Sequence, residues 1–179
     1  RLDKGTSGLL VVAKTGDALE KLQLMIKARQ VHRTYLALVQ QPMDVETGTI
    51  DAPIDRDPGQ PIRRRVSPGG RPARTHYRRL ASWPAHSLLE VALETGRTHQ
   101  IRVHLASIGH PVAGDATYGG TRSPSCRRAA AREVLRSLAR PALHAARLAF
   151  EHPASGDPVD FEAPLPPDIA SALEKLRSA

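Results

Sequence analysis

His86-Ser87-Leu88-Leu89-Glu90-Val91-Ala92-Leu93-Glu94 passes within two residues into Arg97-Thr98-His99-Gln100-Ile101-Arg102-Val103-His104-Leu105-Ala106-Ser107-Ile108-Gly109. The first run alternates well enough for a strand, and after Gly96 the apolar positions recur at helical spacing. Thr98 is expected to cap this helix and Gly109 to end it. At ~100° per residue, Ile101, Leu105 and Ile108 form its buried stripe, and Arg102 projects at the margin. Read alone, Arg102 is either a stem laid on apolar surface with its head in water or a functional cation.

Outward from this switch, strands and helices keep alternating. Downstream, residues 110–125 are rich in Gly, Pro and Ser and read as loop. A basic helix is expected over 127–140, stopped before Pro141. Leu143–Phe150 and Val159–Glu162 flank a hairpin-like turn at His152-Pro153-Ala154-Ser155-Gly156-Asp157, and Asp168 is expected to cap a last helix with Ile169, Leu173 and Leu176 inward. Upstream, Gly8 to Ala13 suits a short buried strand after a turn at 3–7. Ala18, Leu22, Met25 and Ile26 predict a helix over roughly 16–29, Thr34–Val39 a strand, and 48–53 a shorter one. With no internal repeat and no linker, these elements predict one α+β domain with several antiparallel connections.

Between Pro58 and Leu89 no acidic residue occurs, yet Arg63, Arg64, Arg65, Arg71, Arg74, Arg78 and Arg79 all fall there. The Pro and Gly residues of this stretch predict a long loop or hairpin arm leading into a strand near 73–80. The arm reads as phosphate-contacting, with a solvated surface loop as the bland alternative.

Composition narrows the function classes. Across 179 residues, 26 Lys plus Arg against 18 Asp plus Glu give a formal charge of +8, which points to a polyanionic partner, nucleic acid before an anionic membrane. At 40% apolar residues the chain is not a disordered basic tail. The single Cys126 excludes an internal disulfide or a multi-thiolate metal site. No apolar run approaches the ~20 residues a bilayer span requires. Arg1-Leu2-Asp3-Lys4 does not read as the start of a signal peptide, so a cytoplasmic location is expected. Aromatic side chains are few, so an RNA-binding reading rests on charge and shape more than on stacking.

Asp3-Lys4-Gly5-Thr6-Ser7-Gly8 puts one carboxylate in a small-residue turn of the kind that lets a ligand approach the backbone. On its own, Asp3 could equally stabilise the turn. Taken with two further segments, the stretch carries a resemblance. Arg1-Leu2-Asp3-Lys4-Gly5-Thr6-Ser7-Gly8 resembles the Arg-Leu-Asp-x-x-Thr-Ser-Gly motif of the RluA family of pseudouridine synthases. His32-Arg33-Thr34-Tyr35-Leu36-Ala37 resembles that family's basic-x-Tyr-x-Ala segment, and Gly96–Leu105 resembles its third motif, in the same order. Gly109–Asp115, Tyr118-Gly119-Gly120, Leu143-His144-Ala145 and His152-Pro153 continue the resemblance nearly to the C-terminus. Arg71–Tyr77, Arg140–Ala145 and Ala163–Asp168 are most similar to the RluD branch, which modifies large-subunit ribosomal RNA.

The resemblance implies a pseudouridine synthase catalytic fold, a mixed, largely antiparallel sheet flanked by helices. It implies that residues 1–179 form a catalytic domain without its N-terminal portion or an S4-type domain. The implied reaction detaches uracil from C1′ of the ribose, turns it and rejoins it through C5, with no cofactor and no metal. Asp3 matches the catalytic aspartate, as nucleophile or as base, either role requiring the ionised form. Arg102 matches the arginine paired with it, and Tyr35 the tyrosine lying against the target base, with core packing as its plainer role. Arg1 matches the arginine that fills the space left by the displaced base. Arg63, Arg64, Arg65, Arg71, Arg74 and Arg97 are the further candidates for RNA contact. The expected partner is RNA, large-subunit ribosomal RNA or a pre-ribosomal subunit, and the expected state is a monomer.

Three rivals remain. Asp3-Lys4-Gly5-Thr6 superficially resembles aspartyl-phosphate motifs, but magnesium needs further carboxylates and no acidic cluster follows. His99, His104 and His110 match no familiar zinc spacing. A non-catalytic RNA-binding or ribosome-assembly module explains the charge, but not an Asp, a Tyr and an Arg at the three family positions; within the family, a synthase acting on transfer RNA is the alternative.

Overall fold

The computed structural model describes residues 1–121 and 129–178. In chain order the elements are β1 (Ser7–Gly8), α1 (Gly16–Lys27), β2 (His32–Gln40), β3 (Thr47–Asp51), β4 (Ile54–Arg56), β5 (Arg64–Val66), β6 (Arg74–Trp83) and β7 (His86–Leu93). These are followed by α2 (Gln100–Ser107), α3 (Ala129–Ser137), β8 (Leu143–Glu151), β9 (Pro158–Glu162) and α4 (Pro167–Arg177). The main sheet runs β1-β8-β2-β7-β6-β3, with β9 also on β8. Among the described residues only the β1–β8 pair is parallel, so the sheet is mixed and largely antiparallel, and the class is α+β.

The period-2 pattern of β2 explains the layering. Tyr35, Ala37 and Val39 face one cluster with Leu89, Val91, Ile101, Leu105 and Leu143. Leu38 faces the other, with Val134, Leu138, Ile169, Leu173 and Leu176. Thus α2 covers one face, and α3 with α4 covers the other.

The expected strand over 8–13 is reduced to its first residue. β1 pairs parallel with His144 and Ala145, and Leu9 N–H still donates to Ala145 O at 2.9 Å. From Arg147 onward, however, that edge of β8 is occupied by β9. Leu10 and Val12 are consequently 54% and 74% exposed instead of buried. Gly8 is required at the close approach: its φ is +103° and a Cβ there would lie 2.1 Å from Ala145 O.

Other boundaries shift for local reasons. The arm expected between the third strand and 73–80 contains the β4–β5 hairpin, a separate two-stranded sheet. Its return is tied down by reciprocal Ile54 and Arg71 backbone bonds of 2.9 Å. Thr98 does not cap α2. His99 takes that position in the left-handed region (φ 58°), while Gln100 Oε1 accepts from Arg97 N–H at 3.0 Å and Thr95 O–H at 2.8 Å. Gly109, at φ +86°, does end the helix. Ile108 is 39% exposed, and the buried surface of α2 instead includes Arg102, Val103 and His104. Asp168 lies inside the first turn of α4, with Pro166 at the cap. The helix expected from 127 is seen over 129–137; Arg127, Arg128 and Cys126 lie outside the described residues.

A buried polar chain locks α2 to the sheet. Gln100 Nε2 donates to Thr75 Oγ1 at 3.0 Å, which leaves Thr75 O–H to donate to His104 Nδ1 at 2.9 Å. His104 Nε2–H then donates to Ala52 O at 2.9 Å. Each buried donor thereby finds an acceptor.

His86, by contrast, is fully buried at the start of β7, and neither ring nitrogen has a partner among the described residues. Burial lowers its pKa from 6.5 to about 4. The unfolded chain therefore binds the extra proton between those values, and stability falls as pH drops from 6.5 toward 4, by at most ~1.4 kcal/mol per pH unit. Urea unfolding of His86→Leu across that window is expected to show a shallower loss than the parent.

Candidate active site

The site is built on the turn that opens the chain. Thr6 N–H donates to Asp3 O at 3.0 Å, with Gly5 at φ +86° between them. Arg140 holds this turn from below. Its Nη1 donates to Gly5 O at 2.8 Å and to Ser7 Oγ at 3.2 Å, and its Nη2 to Asp168 Oδ1 at 2.7 Å. His144 Nδ1 lies 3.0 Å from Ser7 Oγ, and its Nε2 lies 3.2 Å from Ala163 O. Since only a ring N–H can serve a carbonyl, Nε2 carries the proton and Ser7 O–H donates to Nδ1. The carboxylate of Asp3 is thus carried on a loop tied to β8 and α4.

Arg102 reaches the same place from α2. It is 5% exposed, and its Nε and Nη2 donate to Asp115 Oδ2 at 2.6 Å and Oδ1 at 2.9 Å. The remaining nitrogen, Nη1, lies 3.9 Å from Asp3 Oδ2. The fork is therefore aligned by Asp115 and presents its free arm to Asp3. Burial weakens the Arg102 charge, but the hydrogen bonds and charge of Asp115 and the charge of Asp3 outweigh it, raising its pKa. Asp115 itself is fully buried and accepts from Thr117 N–H at 3.0 Å. Its loop closes tightly at Gly120, where a Cβ would fall 1.7 Å from Val112 O.

Tyr118 lies behind this pair. Its ring receives the Arg102 guanidinium at 5.1 Å and that of Arg63 at 5.3 Å. Its oxygen accepts from Arg64 N–H at 2.8 Å, so its O–H donates to His99 Nδ1 at 2.9 Å. Burial first, and the nearby Arg102 charge second, lower the His99 pKa and keep that nitrogen an acceptor. His104 and His110 face other partners, Thr75 with Ala52 O, and Gln40 O.

Beside Asp3 opens a cavity of about 560 Å³ whose lining combines Leu2, Asp3, Tyr35, Ile101 and Leu143 with the cations Arg1, Lys27, Arg29, Arg33 and Arg97. Its volume is in the range of small-ligand clefts, ~300–1,000 Å³. Tyr35 is 8% exposed. Burial pushes its phenol pKa up, the Arg33 charge opposes this, and the Asp3 charge adds to it, so the phenol is neutral at physiological pH.

The candidate residues therefore divide. Asp3, Tyr35, Arg1 and Arg97 share the cavity, and Arg102 reaches Asp3 from outside the lining. Arg63, Arg64 and Arg65 line a separate groove of about 520 Å³ with Val103, Ser107 and Tyr118. Arg71 is exposed beside the hairpin. Arg74 is engaged, with Asp51 at 2.6 Å and Glu94 at 3.6 Å. Sequence reasoning did not assign roles to Asp115, Tyr118, Arg140 or Arg33. For Asp115 the available signal was an acid enclosed by glycines at Gly114 and in Gly119-Gly120.

The model of the RNA pseudouridylate synthase family matches residues 1–107, the stretch that carries Asp3, Tyr35 and Arg102. The chain belongs to that family. It is 51% identical over 179 residues to the ribosomal large subunit pseudouridine synthase D of Nitrosomonas europaea, covering 99% of this chain and 50% of that protein. With the synthase D of Escherichia coli it is 44% identical, covering 99% of this chain and 55% of the other. The chain thus spans about half the length of the curated relatives it matches. Among solved structures, human RNA pseudouridylate synthase domain containing 1 superposes with a TM-score of 0.76 at 27% identity, covering 100% of this chain and 79% of that one. Human RNA pseudouridylate synthase domain containing 4 gives 0.76 at 29% identity, covering 99% and 74%.

The buried pair makes a stability prediction. Removing the acid with Asp115→Ala leaves the Arg102 charge buried beside a weaker partner, a cost of about 3–5 kcal/mol. The double variant Asp115→Leu, Arg102→Met is expected to recover much of that loss in urea unfolding at neutral pH.

Proposed function

We propose that the protein converts specific uridines of large-subunit ribosomal RNA to pseudouridine, and that residues 1–179 supply the catalytic domain for it. The observation that carries this reading is the Asp3 carboxylate in the lining of a basic cavity, with the Arg102 fork arm 3.9 Å away and Tyr35 in the same lining. The resemblance to ribosomal large subunit pseudouridine synthases D supports the choice of RNA.

In this reading the target uridine leaves its stack and enters the cavity, at a cost of a few kcal/mol. Arg1 at the mouth fills the vacated place, and phosphate contacts with the cavity rim and the Arg63–Arg65 groove offset the cost. Asp3 acts at the ribose as nucleophile on C1′ or as base, in either case ionised and oriented by Arg102. The N1–C1′ bond breaks, the base turns, C5 bonds to C1′, and the C5 proton is lost while N1 gains one. No oxidant, metal or other co-reactant is needed for that balance. Tyr35, a neutral phenol, packs against the base and can take the C5 proton only as it passes its own to water, from which N1 takes the proton it gains. The reading needs no second chain, since all three catalytic groups come from one, and its ribosomal RNA substrate supports a cytoplasmic site of action.

The test is tritium release from C5-labelled uridine in large-subunit RNA. The protein is expected to release tritium, and Asp3→Ala to bind the RNA within about threefold of the parent while losing release by at least ~10³-fold. Equal release by Asp3→Ala would remove Asp3 from the chemistry. RNA binding without release by the parent would favour a binding module.

A further inference from the structure

We infer that Arg33 is a phosphate-binding residue of the cavity, holding a backbone phosphate that flanks the target uridine. This rests on the function proposed above. Arg33 lies two residues before Tyr35 in β2, so both side chains leave the same face of the strand, about 7 Å apart along it. Both line the cavity beside Asp3. The guanidinium is half-buried, its Nε is sealed from solvent, and among the described residues Nε has no hydrogen-bond partner.

Of the other cations that line the cavity, Arg1 and Lys27 keep their charges exposed to water, and Arg29 and Arg97 are engaged. Arg29 is 2.6 Å from Glu94, Arg97 Nε donates to Pro72 O at 3.1 Å, and Arg102 is locked to Asp115. Of the two acids in the lining, Glu94 is already shared by Arg29, Arg74 and His76, and Asp3 faces Arg102. An Nε–H drawn out of water without a carboxylate or carbonyl is costly, and an acceptor that enters the cavity relieves that cost, an anion most of all because it also pairs the charge. Uracil is neutral, whereas a phosphate matches the planar fork with two parallel hydrogen bonds. The backbone leaves room for this seat. A Cβ at Gly96 would lie 3.0 Å from Arg33 Nη1, so glycine lets that end of the guanidinium approach the third-motif loop.

A chemical double-mutant cycle tests the contact, using RNA in which either phosphate flanking the target uridine is replaced by an uncharged methylphosphonate. Arg33→Gln is expected to weaken RNA affinity roughly tenfold, with the loss falling on KM more than on kcat, and to reduce the slope of log K against log salt by about 0.7. Arg33→Lys should recover part of the affinity, and Gly96→Ala, which displaces the guanidinium without removing its charge, should lose part of it. One of the two methylphosphonates should weaken the parent by the same factor and leave Arg33→Gln unaffected. An Arg33→Gln protein that binds like the parent, or whose loss persists on both neutral backbones, would overturn the assignment. Affinity and turnover are read separately, so absence of pseudouridine with the parent protein would remove the proposed function while the affinity cycle still decides the Arg33 contact.

Discussion

The Arg102–Asp115 ion pair imposes the constraint around which the site is organised. Two charges taken out of water require near-complete pairing, and here Nε and Nη2 meet both carboxylate oxygens while backbone N–H groups of the 115–118 turn take further lone pairs. That geometry needs α2 at a fixed height and rotation, which the Gln100–Thr75–His104–Ala52 chain supplies. It also needs the Asp115 loop to close without side chains in its way, and Gly114 and Gly120 meet that need. What remains free is one nitrogen, pointed at Asp3.

The acid it faces is held by a different part of the molecule. The Asp3 turn hangs on the edge of β8 through β1, on Arg140 and on the Ser7–His144 contact. Because β9 takes the remainder of that edge, the turn leaves the sheet after Leu9. The cavity is thus lined from independently anchored parts of the fold, Gln100 and Ile101 at the start of α2, Asp3 on the turn held to the β8 edge, and Tyr35 of β2, with Arg102 reaching Asp3 from outside the lining. The Arg63–Arg65 groove joins this arrangement through Tyr118, whose ring lies against Arg63 and Arg102 and whose oxygen takes the Arg64 N–H.

Most of the regular structure was legible locally. β2, β7, α1, α4 and the β8–β9 hairpin follow from periodicity and turn residues, and Gly109 ends α2 as its position implies. The strand expected at 8–13 was not legible, because its apolar run is local while the availability of the β8 edge is decided by β9, far along the chain. Thr98 failed as a cap for a similar reason: Gln100 and Thr95, tied into the buried chain, satisfy that end of the helix while His99 takes a left-handed conformation. The candidate site divides in the same way. Asp3, Tyr35 and Arg102 stand out by motif, and the structure brings Asp3 and Tyr35 to one cavity and Arg102 to within 3.9 Å of Asp3. Asp115 and Arg140 do not stand out, since each acts across loops on partners that only the folded chain brings near. Arg74 looked unneutralised along the sequence, yet Asp51 and Glu94 meet it across the sheet.

The central claim is that Asp115 aligns Arg102 so that Arg102 can orient Asp3. Single-turnover pseudouridine formation by Asp115→Asn, with RNA affinity and urea unfolding measured in parallel, tests it most directly. The substitution keeps the shape and an oxygen acceptor and removes the charge that aligns the fork. A fall in the chemical rate of about two orders of magnitude, with RNA affinity within about threefold and a cooperative fold, is the predicted result. A chemical rate equal to the parent's, in a folded protein, would contradict it.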